Sequence, residues 1–292
     1  MEIRQLRYFV TVAELEHFGR AAEALHVVQP AVSQAVARLE REIGLTLFDR
    51  SRKRITLTPE GRSFVPHARR VLRAVERARR EAADLAAGVT GLIRIGSSEG
   101  LGPRLELILA EFRRRRPAVR VELLSRRTPT KLAAVAAGDL DAAFVRAAEP
   151  SAGVIVHHLW DERLVLAVPA GRAARGGRPA ELPDFANLPL ARTPRPENPG
   201  VFDIVTDACR AAGFTPRPGP SLLSVQDVLA GPVAAGECWT LLYATTMTLP
   251  VSGVATVAPP SPLVVPTGLA VADPPRSALV GELVTVARSI RG

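Results

Sequence analysis

Between Thr58 and Gly88 the chain carries Phe64, Ala68, Val71, Val75, Ala78, Ala82 and Leu85, apolar positions spaced alternately four and three apart. That alternation is the a/d seam of a heptad, which keeps one face of a long helix pointed at a neighbour. Thr58 can cap such a helix, Pro59 suits its first position, and Glu60 favours the positive end of its dipole. Pro66, early in the helix, is expected to kink it, because its ring excludes one backbone hydrogen bond. Arginines at 69, 70, 73, 77, 79 and 80 flank the seam. The seam can be covered by a second copy of the chain or by the domain before it. A long exposed helix favours the second copy. Residues 59–88 are therefore read as a linker and dimerisation helix, with Gly88-Val89-Thr90-Gly91 as a hinge. This leaves residues 1–58 and 89–292 as separate domains.

The 292 residues are 47% hydrophobic, enough for sizeable cores, and no apolar run approaches the ~20 residues that span a bilayer. Residues 1–10 include Glu2, Arg4 and Arg7, unlike a secretory leader, so a cytoplasmic protein without a membrane partner is expected. Cys209 and Cys238 are too few for a disulfide framework and lack zinc-site spacing, and no cofactor or metal is expected. Charge is uneven: residues 1–88 hold 16 basic and 11 acidic side chains, so +5 of the formal +9 lies in the first third. Such a block suits a polyanionic partner, because neutralising phosphates supplies most non-specific affinity for nucleic acid.

The first third has the pattern of a helix-turn-helix. Leu6, Phe9, Val10 and Ala13 line one face of a helix over residues 3–15, and Ala21, Ala22 and Leu25 pack a short one over 18–25. The turn at residues 26–29 leads to Pro30, which opens a third helix running to about Ile43, where Gly44 ends it. Val32, Val36, Leu39 and Ile43 point inward along that helix, and Pro30, Ser33, Gln34, Ala37, Arg38 and Arg41 share the other face. A major groove admits such a face, although an ordinary amphipathic surface helix carries the same pattern. The next segment decides. Leu47-Phe48-Asp49-Arg50, Ser51-Arg52-Lys53-Arg54 and Ile55-Thr56-Leu57 read as strand, basic tip and strand, a wing suited to a phosphate backbone.

The runs Leu6-Arg7-Tyr8-Phe9-Val10, Phe18-Gly19-Arg20-Ala21-Ala22, Gln29-Pro30-Ala31-Val32-Ser33-Gln34, Leu47-Phe48-Asp49-Arg50 and Leu57-Thr58-Pro59-Glu60-Gly61 resemble the signature of LysR-type transcription regulators over about the first 65 residues. The resemblance implies a multidomain chain: a mainly α winged helix-turn-helix, a long linker helix, and a C-terminal α/β domain of two lobes like periplasmic binding proteins. It places Gln29, Pro30, Ser33, Gln34 and Arg38 at the groove and Arg50, Arg52 and Arg54 on the wing. It further implies promoter DNA, a small-molecule effector and the chain itself as partners, as a dimer and then a tetramer, and it allows RNA polymerase as another. Val28 departs from the family's usual serine, which would cap the recognition helix, and Gln34 from its usual arginine.

In the C-terminal part, strands expected at residues 92–95, 119–124, 141–145, 164–168 and 240–243 alternate with helices at 102–115, 131–137, 202–212 and 226–235. Such alternation implies a parallel sheet with crossover helices, and the Pro/Gly/Arg-rich residues 169–183 read as a surface loop. With the resemblance, lobe one is residues 92–161 plus 268–292 and lobe two is 162–267. Ligands of open α/β sheets sit at the carboxyl ends of strands. There the chain offers Ser97, Ser98, Thr128 and Arg146 from lobe one, and Pro199, Val201, Phe202 and Gln226 from lobe two. Hydroxyls, helix N-termini and the arginines at 146 and 192 suit a small anion, most simply a carboxylate. Pro194-Arg195, Pro199 and Ala211-Ala212-Gly213-Phe214 resemble the subgroup that regulates catabolism of aromatic compounds. Cys238 and Trp239, where the family has glycine and a small aliphatic residue, raise the possibility of a narrowed cleft.

Other signals carry less. Gly96-Ser97-Ser98-Glu99-Gly100 matches a nucleophile elbow, but His157 and His158 are the only histidines after it and fall mid-domain, so no enzyme is expected. Those two histidines lack a third metal ligand, the two cysteines read as buried side chains, and Arg113 to Arg116 read as a cationic helix end. A serine hydrolase built on that elbow is the runner-up of another class, and an architectural DNA-binding protein without an effector is a third alternative.

Overall fold

Three short helices and a hairpin share one core at the N-terminus. The computed structural model describes residues 1–50, 55–86, 91–98, 100–222, 224–246 and 250–290, and the chain divides into the units Met1–Gly88 and Val89–Gly292. In the first, α1 (Ile3–Leu15), α2 (Phe18–Ala24) and α3 (Gln29–Ile43) bury Leu6, Phe9, Val12, Ala21, Ala22, Val32, Val36 and Leu39 together. The Phe9 ring lies 5.5 Å from both Phe48 and Phe64. The α2 helix is capped by His17, whose Nδ1 accepts from the amides of Gly19 at 3.0 Å and Arg20 at 3.2 Å. Gly44 ends α3 at φ +71°, a left-handed conformation that side chains resist. Strands β1 (Phe48–Asp49) and β2 (Thr56–Leu57) pair antiparallel. The expected wing tip, with Arg52 and Arg54, lies outside the described residues, as does most of the expected hinge.

Helix α4 (Pro59–Ala86) runs through Pro66 without a break. Thr58 caps it, its Oγ1 accepting from the Gly61 amide at 2.9 Å while donating to the Thr46 carbonyl at 2.7 Å. The seam expected along its whole length divides. Ala68 is 1% exposed and packs with Phe64, Val65 and Leu72 into the helix-turn-helix core, so Phe64 and Ala68 are covered by their own domain. Further along, Val71, Ala78 and Ala82 are exposed.

The second unit is built on one sheet of nine strands in the order β10-β9-β11-β6-β13-β5-β3-β4, with β12 paired to β6. In chain order its elements are β3 (Leu92–Ser97), α5 (Gly102–Arg115), β4 (Arg120–Ser125), α6 (Thr128–Ala137), β5 (Ala142–Arg146), β6 (Val154–Pro169), the small hairpin β7 (Ala174–Arg175) and β8 (Arg178–Pro179), and β9 (Leu190–Arg192). There follow α7 (Pro199–Ala211), β10 (Pro218–Ser221), α8 (Val225–Val228), β11 (Trp239–Tyr243), β12 (Val254–Val257), β13 (Leu263–Ala272) and α9 (Ala278–Ser289). The sheet is mixed, not parallel throughout as expected. Strands β3, β4 and β5 are parallel, whereas β6 and β13 pair antiparallel along their length. These two long strands serve both lobes, and their register shifts where Thr267 and Gly268 face Trp160 and His158. One core lies under β3, β5, α5 and α9 around Phe112, Phe144 and Leu283. Another lies under β9, β11 and α7 around Phe185, Leu190, Val205 and Trp239. The helix expected over residues 226–235 is only α8, followed by a wide turn at Leu229–Val233.

Candidate functional site

The sequence of α3 sorts its side chains by period. Val32, Val36 and Leu39 are fully buried, which turns Gln29, Pro30, Gln34 and Arg38 to solvent and leaves Ser33 half-buried between them. Val28 holds the N-cap position with no side-chain hydrogen bond and is 70% exposed, so the helix begins uncapped on this face. The result is a rod with polar side chains at one end and a cation further along.

Arg50, expected as a wing contact, is turned back onto the domain. Its Nη2 lies 2.8 Å from Glu40 Oε2, and its guanidinium sits 5.3 Å from the centre of the Phe18 ring. Glu40 also accepts from the amides of Leu47 at 2.8 Å and Phe48 at 3.2 Å. Arg50 therefore braces β1 against α2 and α3, and its charge is already matched.

In the second unit a cavity of about 620 Å³ opens between the two lobes. Lobe one lines it with Ser98, Thr128 and Arg146, and lobe two with Arg192, Asn198, Val201, Phe202, Val225 and Tyr243. Ser97, Pro199 and Gln226 do not line it. Ser97 turns its carbonyl towards Lys131, Val225 takes the wall position, and Gln226 is exposed. Gly200 belongs to the construction: a β-carbon there would stand 1.8 Å from the Ala147 carbonyl oxygen, so only glycine brings the start of α7 against lobe one.

Arg146 lines the cavity but is not a free cation. It is 3% exposed, and its Nε and Nη2 each lie 3.1 Å from Oε2 of Glu162, itself 2% exposed. Nη2 also donates to the Gly100 carbonyl at 2.6 Å, and the guanidinium stacks 3.7 Å over the Tyr243 ring. Thr245 donates to Glu162 as well. A buried charge is stable only when paired and hydrogen-bonded, and this one is both. Burial raises the pKa of the Tyr243 phenol, so that ring stays neutral.

Thr128, Arg192 and Ser98 are among the lining groups left for a ligand, beside Ser125, Arg126 and Thr193. Thr128 is 7% exposed, and its hydroxyl makes no hydrogen bond among the described residues. Its amide, expected to face an anion, instead donates to the Glu197 carbonyl at 3.1 Å. Arg192 stacks 3.9 Å over Phe202 and donates to Thr206 Oγ1 at 2.8 Å, with no carboxylate partner among the described residues. Burial lowers its pKa from the usual arginine value. The third is Ser98, whose hydroxyl accepts from Lys131. Sequence reasoning missed Lys131, Glu162 and Tyr243. For Lys131 a signal existed: it precedes Ala134 and Val135 by three and four residues, which puts it on the buried face of α6.

Contacts cross the cavity from lobe to lobe. Besides the Thr128 amide, Arg127 Nη1 lies 3.4 Å from Glu197 Oε1, and Asn198 Nδ2 donates to the Arg146 carbonyl at 3.2 Å. Trp239 does not narrow the cavity. Its ring is fully buried in lobe two, stacked on Phe185 at 5.3 Å, with Nε1 donating to the Leu188 carbonyl at 3.1 Å. Cys238 is likewise buried outside the lining. His157 pairs with Arg288 and His158 with Asp161, so neither serves Ser98.

Comparison with known proteins agrees with this arrangement. Residues 3–62 match the bacterial regulatory helix-turn-helix protein, lysR family, and residues 86–289 match the LysR substrate binding domain. The HTH-type transcriptional regulator IlvR of Caulobacter vibrioides is 32% identical over 274 residues, 92% of this chain and 91% of that protein. A probable hydrogen peroxide-inducible genes activator of Mycobacterium xenopi is 41% identical over 174 residues, 59% of this chain and 92% of that protein. Among solved structures, full-length CbnR complexed with its target DNA superposes with a TM-score of 0.71 at 27% identity, covering 98% of this chain and all of that one. Both halves of the chain match the family's two domains, and the chain belongs to the LysR family of DNA-binding transcription regulators.

Proposed function

We propose that this regulator reads its promoter through Gln29, Pro30, Ser33, Gln34 and Arg38, grips phosphate with Arg52 and Arg54, and is switched by a small carboxylate in the interlobe cleft. The observation that carries the effector reading is the cleft itself. Its 620 Å³ suits a compact organic acid, and its walls combine apolar Val201, Phe202 and Val225 with the Thr128 and Ser98 hydroxyls and Arg192, which has no carboxylate partner among the described residues. The apolar wall of Val201, Phe202 and Val225 beside Arg192 suits an acid with an apolar body, in keeping with the aromatic-catabolism subgroup. The domain limits follow the same reading, with residues 1–58 on DNA, 59–88 as the linker helix, and 89–292 as the sensor. The exposed part of α4 then joins two copies, and the protein works in the cytoplasm; among the described residues no helix is long and apolar enough to cross a membrane.

Oxidation of a thiol is disfavoured as the signal, although one relative is named a peroxide-inducible activator. Cys209 and Cys238 are both buried, and burial pushes the Cys209 thiol up to about 11 and raises that of Cys238. Thiolates, not thiols, react.

The test is a thermal-shift screen of small aromatic and aliphatic mono- and dicarboxylic acids, each beside its neutral amide. An acid at a hundred times its Kd stabilises the native state by about 2.7 kcal/mol, and its amide should do much less. If no acid stabilises the protein, the carboxylate reading fails.

A further inference from the structure

Lys131 is one of only two lysines in a chain whose other basic residues are all arginine. It is fully buried on α6, directly behind the cleft wall. Its Nζ donates to the Ser98 hydroxyl, to the Phe144 carbonyl at 2.5 Å and to the Ser97 carbonyl at 3.4 Å. All three ammonium protons are thus spent on neutral acceptors, and no carboxylate pairs with it among the described residues. The charge facing it is Arg146 of β5, which repels it and is itself matched by Glu162 of β6. The end of strand β3 and the residue after it offer Ser97 and Ser98, and β13 gives Thr267 to the Glu162 network. Burial, and then Arg146, push the lysine down to about 7.

The direction of one hydrogen bond connects this group to the cleft. Because Ser98 Oγ accepts from the ammonium, its own hydrogen is free to point into the cavity that Ser98 lines. A neutral amine accepts as readily as it donates, so the serine then loses that fixed polarity. Arginine cannot do this, since it does not shed its proton.

We propose that Lys131 is the proton-linked countercharge of the cleft: a carboxylate seated against the Ser98 and Thr128 hydroxyls is bound together with a proton that Lys131 takes up. The proposal rests on the carboxylate reading above and adds that the protein senses acid and proton as a pair. Carboxylic acids are ionised throughout pH 6–9, so pH dependence in that window belongs to the protein. The free lysine titrates near 7 and the bound one higher, so affinity is greatest below pH 7 and falls about tenfold per unit above it.

The strongest stabiliser from the acid screen is titrated into the full-length protein by calorimetry at pH 6–9, in buffers of different ionisation enthalpy. The expected result is uptake approaching one proton per site at pH 8, and none for the neutral amide. Lys131→Met and Lys131→Gln, each checked by its melting curve, bind the acid more weakly below pH 7, with no proton uptake and a flat pH profile. Glu99→Gln, next in sequence to Ser98, keeps the wild-type profile. Tight binding without proton uptake, or a profile abolished by Glu99→Gln but kept in both Lys131 variants, overturns the proposal while leaving the carboxylate reading intact. If no acid binds the wild type at any pH, both fall.

Discussion

Arg50 and Glu40 form an ion pair at 2.8 Å that holds the wing strand to the recognition helix, with Glu40 also accepting the amides of Leu47 and Phe48. The two partners should therefore respond differently to truncation. Arg50→Ala loses a partly exposed pair and should cost less than about 1 kcal/mol. Glu40→Ala strands two amides of buried residues and should cost roughly 2–4 kcal/mol. Melting curves separate the two. In operator binding, Arg50→Ala should lower the salt slope by less than Arg52→Ala, which should lower it by about one; equal slopes would put Arg50 on the phosphate.

Val28→Ser supplies the missing cap of α3. It should raise stability by about 1 kcal/mol in thermal or urea unfolding. No gain would mean that another group already satisfies those amides.

The exposed stretch of α4 is the place to break assembly. Val71→Asp combined with Val75→Asp should leave the domain folded and yield monomers by sedimentation, because Val71 is 39% exposed. Ala68→Asp, 1% exposed in the helix-turn-helix core, should unfold that domain instead. An oligomer that survives the double substitution would move the dimer contact elsewhere.

Thr128→Val removes the hydroxyl of a buried residue that makes no hydrogen bond among the described residues, while keeping its volume. Hydrogen bonds to a charged group are worth about 1.5–3 kcal/mol, so the Kd for the stabilising acid should rise about tenfold or more. Calorimetry showing an unchanged Kd would place the acid elsewhere in the cleft.

Lys131 also predicts a stability profile. Unfolded, it titrates in the ordinary range near 10.5, and folded at about 7, so between those values the unfolded chain holds the extra proton. Stability then rises as pH climbs from 7 towards 10.5. Lys131→Met should flatten that rise, and the slope is the readout because the substitution also takes a donor from Ser97, Ser98 and Phe144. Urea unfolding across pH 7–10 is the measurement.

What was legible in the chain follows the regularity of its periods. The limits of α1 and α5 were readable because their apolar residues recur at helical spacing and a turn or an arginine cluster closes each one. Strand β6 was only half visible. Its first part carries His157, His158, Asp161, Glu162 and Arg163, and the buried Glu162 breaks the alternation that marks a strand. The same concealment hid the partner of Arg146, which does line the cavity. Its position at a strand end was readable, but the acid that neutralises it lies in that disguised stretch. Seam and core were confused in α4 because Ala68 satisfies both patterns, and only packing decides which neighbour arrives first.

The bonds that Glu197 and Asn198 make to Arg127, Thr128 and Arg146 bear on time as well as affinity. Each ties one lobe to the other beside the cavity, so the lobes can part only while all three are broken. An acid whose release takes that parting would be held by the clasp as well as by its own contacts, and an occupied regulator would outlast a brief fall in the acid's concentration. Weakening the clasp, as in Glu197→Gly, shortens that memory before it changes what is remembered.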